Sequence, residues 1–309
     1  MAVIIPTYQR ADRLPGIVAA LEQQTLARSD FEVLISDDCS TDETAGLLDR
    51  LASRTPLTLR IMRTKRNSGP AVARNIAWRA TDAPVLAFMD DDCVPAPGWL
   101  EAGAAYFEEP DVGIVQGRTL PDPSVPVWRG AGTQRIERFT NRYEACNIFY
   151  RREALSAVGG FDETIYFFGE DTVPGWAVRR LGAGYRFAPD ALVHHEVVHR
   201  GIRWHIRWAR LHRHWPMLVR RFPEMRRELL RARIFLFPGH AALLAAVVGT
   251  ALGAFWRPGF ALTAPFFARY TPLTLRPEEF VSKLADLGFD AIVVASLIDG
   301  SIRERTLML

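Results

Sequence analysis

Across residues 1–200 the chain alternates short apolar runs with stretches patterned for helix, and no other feature restricts its fold as tightly. The runs AVIIP, FEVLISDD, LTLRIMR and PVLAFMDDD read as strands, with helices expected near residues 14–24, 41–54 and 70–80. Strands separated by helices call for βαβ units and a mostly parallel sheet, so the fold class is α/β. A chain of 309 residues with 49% apolar content can bury such a sheet and carry an appendage as well. The stretch STDET should open the second helix, because a Ser or Thr cap is followed there by acidic residues that suit a helix N-terminus.

Two of these strands end on carboxylates, the pair Asp37/Asp38 and the run Asp90, Asp91 and Asp92. In open α/β sheets the ligand crevice lies at the carboxyl ends of the strands, so both clusters are expected to face one crevice. If strand alternation persists, Asp90 and Asp92 share a face and Asp91 points away. Two carboxylates about 7 Å apart repel by roughly 2 kcal/mol at an effective dielectric near 20. A divalent cation would remove that cost, and oxygen-only ligation suits Mg²⁺ or Mn²⁺, ions that share their coordination with substrate phosphates. For a lone Asp run, a solvated turn would be an equal alternative.

The remaining composition divides the chain. Residues 200–233 hold eleven arginines against Glu224 and Glu228, so one strongly basic segment follows an acidic body. Within it Trp204, Trp208, Leu211 and Trp215 recur at helical spacing, and Pro216 should kink or end that helix. Residues 234–256 carry no formal charge. At about 1.5 Å per residue they would reach roughly 34 Å, against a hydrocarbon core of ~30 Å, so a membrane crossing is open. Pro238, Gly239 and His240 shorten the secure helix and favour a shallow or re-entrant segment equally. The expected organisation is a domain over 1–200, a basic helical segment over 201–233, an apolar segment over 234–270 and a helical tail over 271–309. Three cysteines fit neither a disulfide framework nor a zinc spacing, which points to a reducing compartment. The start MAVIIPTYQR has no basic n-region and too short an apolar run for a signal peptide.

Six ordered motifs, VIIPTYQR, FEVLISDDCSTDET, NSGPAVARN, VLAFMDDDCVP, ACNIFYRREALSAVGGFDE and FGEDTVPGWAVRRLGAGYRFAPDALVHH, resemble those of family 2 glycosyltransferases of the GT-A fold. The resemblance covers residues 2–196 and implies an inverting transfer from a nucleotide-diphosphate sugar to an acceptor hydroxyl, with Mn²⁺ or Mg²⁺ as cofactor. It implies that Pro6, Thr7, Tyr8, Asp37 and Asp38 line the nucleotide pocket, with Asp38 accepting a hydrogen bond from the base. Asn67, Gly69, Arg74 and Asn75 match the loop and helix that close over the nucleotide. Asp90, Asp91 and Asp92 match a D-x-D motif, in which Asp92 binds the metal directly and Asp90 lies near the ribose or reaches the metal through water. Asp171 is implied as the base, oriented by Glu170, and a histidine, His194 in preference to His195, completes the metal site. The loop GGFDE resembles one beside the acceptor.

Where processive synthases of this family carry Q-x-x-R-W, Trp204 stands in place of the glutamine, ahead of Arg207 and Trp208. That departure favours transfer of single sugars, to a lipid-linked or envelope glycan at the cytoplasmic face of a membrane contacted through residues 201–270. A nucleic-acid partner is not expected. The rivals are a sugar-nucleotide nucleotidyltransferase, whose G-x-G phosphate loop is missing from PTYQRADRLPG, and a glycan-binding scaffold with a degenerate transferase domain. Residues 116–139 carry no readable specificity code.

Overall fold

The computed structural model describes residues 1–166, 168–274 and 276–309. They divide into two compact units, Met1–His199 and Arg200–Leu309.

The first unit begins with β1 (Ala2–Thr7), α1 (Leu14–Glu22), β2 (Glu32–Asp37), α2 (Thr44–Arg54), β3 (Leu59–Arg63), α3 (Pro70–Arg79) and β4 (Val85–Met89). It continues with β5 (Cys93–Pro95), α4 (Trp99–Ala104), β6 (Val112–Pro121), β7 (Ala131–Gly132), β8 (Asn147–Arg151), α5 (Arg152–Ala157), α6 (Thr172–Arg180), β9 (Gly184–His195) and β10 (Val198–His199). The main sheet runs β3-β2-β1-β4-β8-β6-β9-β5. β1 pairs in parallel with β2 and β4, and β2 with β3. β1 is buried along its whole length, which is why its sequence is continuously apolar rather than alternating. Proline stands in the first turn of both α1 and α3, where a missing N–H leaves no helical bond unmade.

The parallel half thus matches the α/β expectation. The other half is mixed: β8 is antiparallel to β4 and β6, while β6 and β9 run parallel with a register shift between Gly117 and Arg118. Asn147 secures that irregularity. Its Nδ2 donates to the Arg118 and Ala191 carbonyls, each at 2.8 Å, and its Oδ1 accepts from Trp99 Nε1 at 2.8 Å. A Cβ on Gly117 would lie 2.3 Å from the Asn147 amide, so glycine is required there.

β4 stops at Met89, so Asp90, Asp91 and Asp92 lie in a turn and not on a strand. The alternation that was to separate them does not reach them; their hydrogen bonds decide their directions instead. α2 begins at Thr44 and not in the preceding Ser-Thr-Asp stretch, with Asp42 Oδ1 accepting the Thr44 N–H at 3.0 Å.

The second unit is helical, with α7 (Ile202–Leu211), α8 (Trp215–Arg221), α9 (Met225–Glu228), α10 (Pro238–Gly253), α11 (Ala264–Tyr270) and α12 (Pro277–Glu304). The expected segments 201–233, 234–270 and 271–309 all fall inside it. Trp204 and Trp208 stack at 5.4 Å, 7° from parallel, and Trp215 is buried. The tryptophan helix ends at Leu211, and Pro216 sits in the first turn of α8. The open membrane crossing is corrected here. α10 has 16 residues, and no helix among the described residues is long and apolar enough to cross a membrane. Pro238 starts α10 late and the Gly253–Ala254 turn ends it early, leaving about 24 Å of helix at 1.5 Å per residue.

Candidate active site

The sheet delivers its carboxylates to one end. The ends of β1, β2 and β4 carry Thr7 and Tyr8, Asp37 and Asp38, and Asp90 to Asp92, as expected from a parallel sheet. What the side chains then do differs from one position to the next.

Asp38 is 4% exposed and spends its carboxylate on the loop that follows the neighbouring strand β3. Its oxygens accept from Thr64 Oγ1 at 2.8 Å, the Ser68 N–H at 2.9 and 3.0 Å, and the Gly69 N–H at 2.7 Å. Asp38 thus shapes the 64–69 loop from beneath. Asp37, also buried, accepts the Ser40 N–H at 3.1 Å and stands 4.0 Å from Arg63 Nε. Pro6 and Thr7 are buried within β1, and Tyr8, 42% exposed, is the member of that trio that opens outward.

The 64–69 loop meets the segment that precedes Glu170. Asn67 Oδ1 accepts from the Tyr166 hydroxyl at 2.5 Å, and a Cβ on Gly69, whose φ is +91°, would lie 2.8 Å from the Tyr166 carbonyl. Asn75 was expected over the nucleotide, but it is wholly buried and fully engaged within the protein. It donates to the Phe161 carbonyl and to Glu163, each at 2.8 Å, and accepts from Trp78 Nε1 and the Phe161 N–H. Gly160, at φ +87°, is needed because a Cβ there would fall 2.6 Å from Asn75 Oδ1. The GGFDE loop is thus clasped to α3.

Arg74 is the pivot of the site. It is 4% exposed, donates to Asp90 Oδ1 at 2.7 Å, and reaches Glu170 Oε1 at 3.4 Å. The buried Phe161 ring lies 5.4 Å from its guanidinium carbon. One arginine therefore ties the aspartate turn after β4 to the loop before α6. The two carboxylates beside it keep its guanidinium firmly charged against burial.

Asp171 occupies the N-cap position of α6, partly exposed, with Thr172 Oγ1 donating to it at 3.3 Å. Burial first, then the Glu170 carboxylate, push it well above the usual carboxylate range despite Arg74. Just ahead of it Phe168 at φ +81° and Gly169 at φ +95° form a left-handed pair. A bulky residue held there is strained, as backbone at functional sites often is.

Asp92 faces another way. His195 Nε2 lies 3.4 Å from Asp92 Oδ2, while His195 Nδ1 is 2.9 Å from the Glu196 carbonyl. A proton on Nδ1 donates to that carbonyl and leaves the Nε2 lone pair aimed at the carboxylate, which is how metal-binding histidines are oriented. Asp92, Cys93 and His195 bring ligand atoms within 4.8 Å of one another. The preference for His194 is corrected: His195 is the histidine beside Asp92, because β9 pairs with β5 so that His195 stands opposite Cys93 and His194 opposite Val94.

Asp91 turns to the first strand, accepting the Tyr8 N–H at 3.3 Å and pairing with Arg10 at 3.6 Å. Burial pushes it up to about 7, with Thr7 and Arg10 holding it back. Arg10 also reaches Glu196 at 3.4 Å, and Arg13 joins Glu196 at 3.6 Å. This Arg10, Arg13 and Glu196 cluster was not foreseen. Its only signal in the sequence was two arginines directly after a strand end. Burial also raises Asp92, partly offset by His195. Displaced carboxylates of this kind gather where ligands bind.

With that geometry in place, its relatives can be named. The glycosyl transferase family 2 model matches residues 2–160 and the glycosyl transferase family group 2 model residues 85–275. The chain is 28% identical over 208 residues to glycosyltransferase AglE of Haloferax volcanii, covering 62% of this chain and 65% of that one. It is 30% identical over 215 residues to the pre-mycofactocin glycosyltransferase of Mycobacterium tuberculosis, covering 63% of this chain and 42% of that one. The matches thus span less than two thirds of the length of these relatives. Among solved structures, the mannosyltransferase PcManGT of Pyrobaculum calidifontis superposes with a TM-score of 0.70 at 23% identity, covering 97% of this chain and 86% of that one. TarS 1–349 of S. aureus superposes with a TM-score of 0.53 at 19% identity, covering 99% and 92%. These superpositions give the GT-A fold. The chain belongs to glycosyltransferase family 2.

Proposed function

We propose that the protein is a metal-dependent, inverting transferase that moves one sugar at a time from a nucleotide-diphosphate sugar to a hydroxyl of a lipid-linked or envelope glycan. The observation that carries this reading is the Arg74 bridge, which holds the Asp90 turn and the Glu170 loop in one register with Asp92 and His195 on the first side and Asp171 on the second. An inverting transfer needs a leaving diphosphate on one side of the sugar and a base on the other, and the two ends of this bridge offer a candidate for each. PcManGT was solved with GDP-Man and Mn²⁺, and TarS with UDP-GlcNAc, which supports a nucleotide-sugar donor here.

The donor set fits a divalent ion. A carboxylate and an imidazole whose second nitrogen is anchored to a carbonyl offer two ready ligands to Mn²⁺ or Mg²⁺, Asp92 and His195. When bound, the ion would neutralise charge on the departing diphosphate. Asp90, held by Arg74, would lie beside the donor's ribose. Asp171 takes the acceptor proton at a carboxylate oxygen; its raised pKa makes it a stronger base than an exposed aspartate. Glu170 orients it through Arg74. Transfer of single sugars is favoured because Trp204, in the place of the glutamine of processive enzymes, stacks on Trp208 and offers no amide.

A screen of nucleotide sugars for Mn²⁺-dependent hydrolysis and transfer tests the reading. One donor should be turned over, with transfer lost in Asp171→Asn. Turnover that survives chelation, or survives Asp92→Ala unchanged, would overturn the metal role.

A further inference from the structure

The unit Arg200–Leu309 leaves several bulky apolar side chains outside. Val247 is 67% exposed, Phe255 95%, Trp256 64%, Phe267 58% and Leu273 89%. Scattered exposed apolar residues are ordinary, but a run of them along one hairpin marks a contact surface. The exposure has a packing cause. Gly253 and Gly259 bring the end of α10 against the 3-10 turn Arg257–Thr263. A Cβ on Gly253 would lie 2.6 Å from the Phe260 ring, and one on Gly259 2.8 Å from the Gly253 nitrogen. With glycines filling the contact between the two arms, Phe255 and Trp256 at the tip project outward.

Charge selects the partner. From residue 229 to residue 277 the chain has no Asp or Glu, but it has Arg231, Arg233, Arg257, Arg269 and Arg276. The tip itself carries Arg257 and no acid. Of the α12 acids, Glu279 is engaged by the Leu273 and Thr274 N–H groups and Asp290 by Arg269 and Tyr270. Such a tip suits an anionic lipid surface, which takes aromatic and aliphatic side chains below its headgroups and arginines among them. Tryptophan is favoured at that depth. Length sets the depth: α10, at about 24 Å, falls short of the ~30 Å core, so the hairpin enters one leaflet and does not cross.

We infer that residues 247–273 form a one-leaflet docking surface for an anionic membrane. This surface concerns where the protein works, and it stands independently of the transfer reaction proposed above.

The test is co-sedimentation of the full chain with vesicles of phosphatidylcholine, alone or with about one quarter phosphatidylglycerol. Wild type should bind the anionic vesicles about tenfold better than the neutral ones, Phe255→Ser/Trp256→Ser should lose about tenfold, and Arg257→Glu should lose a few-fold. Thermal unfolding of each variant, read alongside, confirms that the fold is kept. Wild type remaining in the supernatant, or the double variant binding equally well, would overturn the inference. So would a concentration-dependent dimer in light scattering that the double variant abolishes, since the tip would then meet a second copy. Mn²⁺-dependent donor hydrolysis measured without vesicles reports on the transfer reaction separately and should be unchanged in all three proteins.

Discussion

Two aspartate clusters that look alike in sequence, each at the end of a parallel strand, have opposite fates. Asp38 is saturated by Thr64, Ser68 and Gly69, all from the loop after the neighbouring strand β3, whereas Asp91 and Asp92 are half-buried and desolvation pushes both upward. Asp91 is held by the Tyr8 N–H and Arg10, and Asp92 has only His195 and the Cys93 thiol beside it. A carboxylate surrounded by N–H and O–H donors is part of the scaffold. One buried without them carries unspent interaction capacity, and that capacity is what a cation or substrate uses. The number of donors around a carboxylate, rather than its place at a strand end, separates the two.

The largest effect belongs to the base, on the reactive side of this divide. Asp171→Asn should lower kcat by about 10²–10⁴-fold while leaving donor KM within a few-fold. In wild type the rate should fall as pH drops through the raised Asp171 pKa, because the base is then protonated; an acid limb at an ordinary aspartate value would contradict the burial. Arg74→Met comes next. Removing the cation from between Asp90 and Glu170 leaves the buried Glu170 carboxylate uncompensated beside the half-buried Asp90, so unfolding free energy should drop by roughly 3–5 kcal/mol and the acid limb should move to higher pH.

The last two predictions set the clusters against each other directly. Asp38→Ala orphans the Ser68 and Gly69 N–H groups and should cost about 1–3 kcal/mol in denaturant unfolding. Asp91→Asn should do the reverse in metal-free protein. Asp91 sits at about 7 folded and near ~3.9 unfolded, so the native state holds the extra proton and stability falls as pH rises between those values. The variant escapes that loss. Its melting-temperature advantage should grow from about pH 4 to about pH 7 and then level off, by a few degrees. Equal losses from both substitutions would erase the distinction between the clusters.

Much of the parallel half was legible because burial on both faces of β1, β2 and β4 demands unbroken apolar runs. Arg74, Glu170 and Asp171 were legible as motif positions, but the ion pairs that join Arg74 to Asp90 and Glu170 were not. His195 was misjudged for a physical reason. Which of two adjacent histidines faces Asp92 depends on the β5 and β9 pairing, downstream of an irregularity at Gly117 and Arg118 that no local pattern announces. Asn75 was misjudged for another: its partners, Phe161 and Glu163, lie more than eighty residues away. The apolar segment looked long enough for a membrane because composition ignores where proline and glycine begin and end α10.

The most direct measurement is Mn²⁺ affinity by calorimetry or electron paramagnetic resonance for wild type, Asp92→Asn, His195→Ala and His194→Ala. Asp92→Asn and His195→Ala should weaken binding by about tenfold or more, with His194→Ala near wild type. Loss in His194→Ala with retention in His195→Ala would contradict the metal site described here.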